Sequence, residues 1–246
     1  MKISKFEIVD RCLFWKAEKI LVVGDLHLGY EGVLKESGVS LSLGQMEENY
    51  KIFKKIFKKT GKVDKIILLG DVKHYFGKVL KQESEDFVNL IYFLRENLLK
   101  NGKIVITKGN HDSLLEPIIK NYKDVDIVPY LIERGVLFFH GDKKSLESVG
   151  FKLFDKKIKL VVEGHFHPAV VLSDGSKKEK YKCFVYGEFL KKKSIIVPSF
   201  FPLVDGKNVL DEDTYLNKKD ISNNKIYILG DFDKIYKMDL KDLWKE

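Results

Sequence analysis

The chain is 246 residues long, with a 44% hydrophobic share and a formal net charge of +8. Its apolar content suffices for a packed core, yet apolar runs such as Val136–Phe139 and 195–197 fall far short of the ~20 residues of a membrane span. Its two cysteines, Cys12 and Cys183, argue against a disulfide scaffold and against a cysteine-ligated structural zinc.

In chain order, residues 3–9 read as a first strand and 19–24 as a second, ending at Asp25-Leu26-His27. From 41 to 59 the apolar positions Met46, Tyr50, Phe53, Ile56 and Phe57 recur at helical spacing, with Ser42 as N-cap and Gly61 just past the end. A strand at 65–69 runs out into Gly70-Asp71. Residues 84–100 predict a second amphipathic helix, with Phe87, Leu90, Ile91, Leu94 and Leu98 on one face and Asn101-Gly102 as its stop. A strand at 103–107, a short helix after Asp112 with Pro117 near its start, and an edge segment at 125–128 follow. This alternation predicts an α/β core with parallel pairing.

From Leu131 the rhythm changes to strands, at Val136–Phe139, 160–162, 169–172, 182–186, 194–197 and Lys225–Leu229. Residues 145–154 are the helical candidate among them, 211–224 a polar surface loop, and Gly230-Asp231 a hairpin turn. No low-complexity linker or fixed-period repeat interrupts the sequence. One domain over 1–246 is expected, with 169–246 completing a second sheet. The N-terminal residues alternate charged and apolar groups rather than forming a signal-peptide core, so a cytoplasmic location is expected.

Of the 44 basic residues only Arg11, Arg95 and Arg134 are arginine. Lysine in such excess fits a compositional bias of the kind known from hyperthermophiles as well as it fits a functional basic surface. The clusters Lys54-Lys55, Lys58-Lys59 and Lys191-Lys192-Lys193 read as solvated faces or as phosphate contacts.

The chemistry is concentrated where five apolar strands end, at Gly24-Asp25-Leu26-His27, Gly70-Asp71 with His74, Gly109-Asn110-His111-Asp112, His140-Gly141-Asp142 and Gly164-His165-Phe166-His167. All six histidines of the chain fall in these clusters. Beyond the carboxyl ends of strands is where open α/β sheets bind ligands. Asp25 and His27, like His165 and His167, are two residues apart, which in extended backbone places both side chains on one side. Mixed carboxylate and imidazole donors suit manganese, iron or zinc better than calcium. Asp25, His27, Asp71, Asn110, His140, His165 and His167 are too many for one tetrahedral ion and fit two ions sharing a carboxylate.

Taken together and in this order, these motifs resemble the calcineurin-like metallophosphoesterases over residues 20–168. The resemblance implies an α/β fold, a four-layer αββα sandwich of two mixed β-sheets flanked by helices. It implies that Asp25, His27, Asp71 and His167 hold one divalent ion and Asp71, Asn110, His140 and His165 the other, with Asp71 bridging. Manganese is the expected metal, with iron, zinc or nickel as alternatives. Water activated between the ions would attack phosphorus. His111 is the expected general acid and Asp112 either supports its loop or caps the next helix.

The position three after Asp71 separates branches. Protein phosphatases carry an aspartate there and an arginine beside it, whereas His74 resembles the SbcD-type DNA nucleases and their small archaeal relatives, as does Asp25-Leu26-His27-Leu28-Gly29. His74 is accordingly a candidate catalytic residue, with a loop histidine bonding backbone as the alternative. The expected activity is phosphodiester hydrolysis on DNA, single-stranded DNA included. Nucleotides or other small phosphodiesters are the alternative substrates, and a non-catalytic scaffold or nucleic-acid-binding module is a further reading. Lys73 and Lys108 are candidate substrate contacts or ordinary lysines. Asp142 reads as an outer support of the site or a turn residue, and Tyr30 and Glu31 as candidate pocket residues. The residues after His167 are needed for the second sheet, so neither a capping domain nor an ATPase partner is expected. A homodimer stays open.

Overall fold

The computed structural model describes residues 1–39, 44–75, 81–120, 122–173, 175–211, 224–231 and 233–245. Ser42 and nearly all of 211–224 therefore lie outside the described residues.

The chain begins with a run of antiparallel strands, β1 (Lys2–Ile3), β2 (Phe6–Val9), β3 (Cys12–Trp15) and β4 (Ile20–Val23). The single strand expected over 3–9 is thus two, because Ser4 turns the chain through a left-handed φ of 54°. After β4 the pairing becomes parallel, through β5 (Val63–Leu68), β6 (Leu98–Thr107) and β7 (Val125–Val128) at the edge. The first sheet has strand order β1 to β7.

Helices α1 (Tyr30–Glu36), α2 (Gln45–Thr60), α3 (Lys81–Glu96) and α4 (Glu116–Ile119) fill the connections. The helix expected over 84–100 stops at Glu96. Leu98 already pairs with Val63, and the register then slips so that Lys65 faces Lys103. Asn101, at a φ of 67°, and Gly102 form that irregularity inside β6 rather than a helix stop. Leu98 is buried with the face of α3, so it satisfied the helical spacing from within a strand.

The second sheet is built from β8 (Leu131–Glu133), β9 (Val136–Phe139), β10 (Leu160–Glu163), β11 (Pro168–Ser173), β12 (Lys178–Phe189), β13 (Lys192–Ile196), β14 (Lys207–Asn208), β15 (Lys225–Leu229) and β16 (Ile235–Asp239). Its order is β14-β11-β12-β13-β10-β9-β8, with β15 on β12 and β16 on β15. β10 is parallel to both β9 and β13, and β15 and β16 form the hairpin around Gly230-Asp231. Helix α5 (Lys143–Val149) and a 3-10 turn (Gly150–Phe154) replace the one helix expected over 145–154.

Strand periodicity explains the layers. In β4 and β5, Leu21, Val23, Ile66 and Leu68 pack outward with Phe53, Ile56, Phe87 and Ile91 of α2 and α3. Their neighbours Ile20, Val22 and Ile67 point inward and meet Val136, Phe138, Leu160, Val162 and Ile195 of the second sheet. On the far side Leu137, Phe139 and Val161 pack against Val149 and Leu153. These strands are buried on both faces, which is why they read as continuous apolar runs. Burying each such side chain stabilises the fold by roughly 1.5–3 kcal/mol. Two mixed sheets flanked by helices result, the αββα sandwich.

Candidate metal centre

The carboxyl ends of β4, β5 and β6 in one sheet and of β9 and β10 in the other open onto the same place. The ladder continues past them: Leu69 N donates to Val23 O (2.9 Å) and Gly164 N to His140 O (2.8 Å). Asp71 carbonyl oxygen then accepts Leu26 N (3.1 Å) and His27 N (2.9 Å), pinning two strand-end loops together.

The paired residues do not converge through extended backbone as their spacing suggested. His27, His165 and His167 have φ values of 46°, 65° and 43°, and Asp71 one of 46°. Such left-handed non-glycine residues each cost energy and cluster at functional sites, where the surrounding fold over-determines them. Gly70 precedes Asp71 at a φ of 85°, and a Cβ there would lie 2.7 Å from His140 Nδ1. A Cβ on Gly109 would lie 2.3 Å from Asp71 Oδ1. Gly109 thus lets backbone approach the carboxylate, and Gly70 lets it approach the His140 ring.

Asp71 Oδ2 is 3.2 Å from His140 Nε2, and its Oδ1 accepts the main-chain N–H of His111 at 2.9 Å. His140 Nε2 is also 3.1 Å from His165 Nδ1 and 3.2 Å from Asn110 Oδ1. Asp71, His140 and His165 thus offer three donor atoms within 4.8 Å of one another. On the other side Asp25 Oδ2 lies 2.9 Å from His167 Nε2, which is 3.3 Å from His27 Nε2. Both Asp25 oxygens accept His165 N, at 3.0 and 2.9 Å. The seven donor-type residues read from sequence stand in one cluster.

His27, His74 and His111 form a second histidine group. His74 Nδ1 is 3.4 Å from His27 Nδ1, and its ring stacks on His111 at 5.5 Å and 25°. His111 Nδ1 donates to the His74 carbonyl, and its Nε2 is 3.8 Å from Asp71 Oδ2. Lys73 is 1% exposed with its ammonium on the Tyr75 carbonyl, and the Lys108 ammonium pairs with Glu116 at 2.7 Å. Asp142 caps α5, accepting Lys144 N and Ser145 N. Asp112 caps no helix: it accepts Val72 N and Gly109 N, both at 2.9 Å, and braces the two loops.

The charges follow from burial and neighbours. Burial raises the Asp71 and Asp25 carboxyls, but His140 and His167 beside them hold both below the ordinary range. Burial pulls His140 down, and the hydrogen bond to Asp71 with the two carboxylates outweighs it and lifts the ring to about 10. Burial moves His27 to about 3 and lowers His165 and His74. Asp112 is pushed up to about 6 by burial and by Asp71. The His140 ring, protonated at neutral pH in the metal-free protein, supplies part of the positive charge that the two buried carboxylates require, while His27 and His165, kept neutral, offer lone pairs to a cation. A carboxylate–imidazole donor set of this kind fits divalent metal ions.

Several supporting residues carry no sequence signal. Gln45, which reads as an ordinary first-turn helix residue, donates to Leu26 O (3.0 Å) and His27 O (2.9 Å). Glu83 holds His74 N (3.1 Å) and Tyr75 N (2.7 Å). Phe200 N and Phe201 N donate to Asp25 O, at 2.8 and 3.1 Å. Tyr30 meets the rings of His74 (4.8 Å) and Phe201 (5.0 Å) edge-on, while Glu31 accepts Gln45 N. Behind this segment the half-buried Lys182 donates its ammonium to Ser199 Oγ (2.7 Å), Phe201 O (2.8 Å) and Val204 O (2.6 Å). Lys182→Met is expected to lower stability by about 1–3 kcal/mol, because it strands buried acceptors. Urea unfolding measures this, and an unchanged midpoint would refute the bracing role.

A family model for calcineurin-like phosphoesterases matches residues 18–195. Among solved structures, the nuclease MPE of Pseudomonas putida superposes with a TM-score of 0.54 at 18% identity, over 94% of this chain and 93% of that one. That likeness is one of fold alone. A structure described as a novel archaeal phosphodiesterase matches at 17% identity over 90% of this chain and 99% of its own, with a TM-score of 0.42. No curated protein matches the sequence. The family match spans more than half of the chain and every strand end that carries a donor, and the chain belongs to the calcineurin-like phosphoesterases, metal-dependent hydrolases of phosphate esters.

Proposed function

We propose that the protein is a two-metal phosphodiesterase acting on nucleic acid, with DNA, single-stranded DNA included, as substrate. The observation that carries the reading is the position of Asp71. Its Oδ2 faces His140 and its group includes His165, while its Oδ1 fixes the main chain of His111. In this reading Asp25, His27, Asp71 and His167 hold one ion, and Asp71, Asn110, His140 and His165 hold the other. Manganese suits this mixture of donors, with iron, zinc and nickel as competitors. Such ions, when bound, supply Lewis acidity towards the phosphate and towards water.

The protein's own residues supply the rest. Asp112, Glu83 and Gln45 hold the strand-end loops in register, so the donors are positioned before substrate arrives. The Nδ1 proton of His111 is committed to the His74 carbonyl. In the imidazolium form its transferable proton is therefore the one on Nε2, which we assign to the leaving oxygen. His74 stacks on that ring, and a histidine three residues after Asp71 is what supports a place near the SbcD-related nucleases.

Manganese-loaded protein assayed on circular single-stranded DNA, RNA, bis-p-nitrophenyl phosphate and its monoester analogue tests the reading. Cleavage of the circle is the expected result. Hydrolysis confined to the small diester would replace the nuclease with a small-molecule phosphodiesterase.

A further inference from the structure

The basic run Lys191-Lys192-Lys193 has no part in the metal centre. Its first residue lies in the turn joining β12 to β13, where Leu190 and Lys191 take φ values of 48° and 63°, and Lys192 and Lys193 open β13. Lys192 Nζ donates to the carbonyls of Asp155 (2.9 Å) and Ile158 (3.0 Å), tying this turn to the chain leaving the 3-10 turn Gly150–Phe154. On that 3-10 turn Phe151 is 92% exposed and Phe154 66%, and Leu190 is 49% exposed. The space beneath is filled by Val149, Leu153 and Ile158 packed on Leu137, Phe139 and Val161. Two phenylalanines held this far out mark a contact surface.

A 3-10 helix has about three residues per turn and rises about 2 Å per residue, so Phe151 and Phe154 share one face about 6 Å apart along its axis. Lys152, Lys156, Lys157, Lys191 and Lys193 are exposed around them. Among the described residues, Lys193 pairs with Glu188 at 3.6 Å and the other four make no ion pair.

We propose that this patch is a docking platform for single-stranded nucleic acid. Two bases stack on Phe151 and Phe154, and neighbouring phosphates lie against the lysines. The offset of about 6 Å along the helix axis is wider than the about 3.4 Å between stacked duplex bases, which favours an unstacked strand. A second copy of this chain fits poorly, since a two-fold contact would set the lysines against themselves. The patch lies at the amino end of β10 and His165 follows its carboxyl end, so the platform and the metal centre sit at opposite ends of that strand. The platform deepens the nucleic-acid reading of the metal centre and rests on it for its purpose, holding a distant part of the substrate.

The test measures fluorescence anisotropy of a labelled oligothymidylate with the full-length protein in EDTA. Phe151→Ala/Phe154→Ala is expected to bind roughly ten-fold or more weakly, and Phe151→Trp/Phe154→Trp at least as tightly as the unsubstituted protein. Lys156→Glu/Lys191→Glu is expected to weaken binding and flatten its salt dependence. Turnover of bis-p-nitrophenyl phosphate with manganese, measured in parallel, is expected to stay unchanged in all three. Unchanged oligothymidylate affinity in the alanine pair overturns the platform. Binding of phosphatidylglycerol vesicles or polyglutamate in place of the oligonucleotide overturns it too. Failure of the nuclease reading looks different: circular DNA stays intact while the alanine pair still loses affinity, which leaves the platform standing as a binding site.

Discussion

The His111→Ala variant is expected to keep its metal content and lose turnover on a nucleotide phosphodiester by about 10²–10⁴-fold, the usual contribution of a positioned general acid. The structure separates the two properties. Asp71 Oδ1 holds His111 through its main-chain N–H at 2.9 Å, and an alanine retains that bond. The imidazole instead bonds the His74 carbonyl and stacks on the His74 ring; it lies outside the donor group of Asp71, His140 and His165, and of its own group with His27 and His74 only His27 is a proposed ligand. The chemistry adds a second readout. A nucleoside alkoxide needs a proton as it leaves, whereas p-nitrophenolate does not, so the loss on bis-p-nitrophenyl phosphate is expected to be much smaller. Equal losses on both substrates would contradict proton donation, and full activity on the nucleotide diester would remove His111 from the mechanism.

Asp71→Asn is expected to weaken both ions together, by about 100-fold or more, and to abolish phosphodiester hydrolysis with them. The substitution keeps shape and removes charge from the one carboxylate proposed to serve both donor sets. Metal analysis after dialysis against graded manganese reads the outcome. Loss of one ion with the other intact would contradict a shared ligand. A metal-free readout accompanies it. His140 is lifted to about 10 against its burial by the Asp71 hydrogen bond and by the Asp25 and Asp71 carboxylates. With asparagine at 71, the His140 ring is expected to titrate well below its position in the unsubstituted apo-protein, followed by its NMR signal. The wild-type His140 contributes stability that is present below the ordinary histidine range and is lost as pH rises through about 10. In the variant that loss moves to lower pH.

The reach of the sequence can be judged residue by residue. Strands β4, β5, β9 and β10 were legible because burial on both faces leaves only apolar side chains, and a run of four has one reading when glycine closes it. The donors were legible because they follow such strands directly. Leu98 and Asn101-Gly102 misled, since a buried leucine four residues after Leu94 fits a helix face and a strand equally. The turn at Ser4 was missed for a related reason: a left-handed serine leaves no mark in the pattern.

By itself, then, the sequence determined which residue types stand at which strand ends, and hence the α/β class, the donor inventory and the metallophosphoesterase resemblance. All of these are local, written in periodicity and in short spacings. Tertiary structure alone decided how the donors meet. His27, Asp71, His165 and His167 adopt left-handed backbone held by bonds such as Asp71 O to His27 N, Glu83 to His74 N and Phe200 N to Asp25 O. Those partners lie as many as 175 residues apart, as Asp25 and Phe200 do. Chain pattern reports what each short segment prefers, whereas a strained site exists only where distant segments supply the hydrogen bonds and packing that offset its cost.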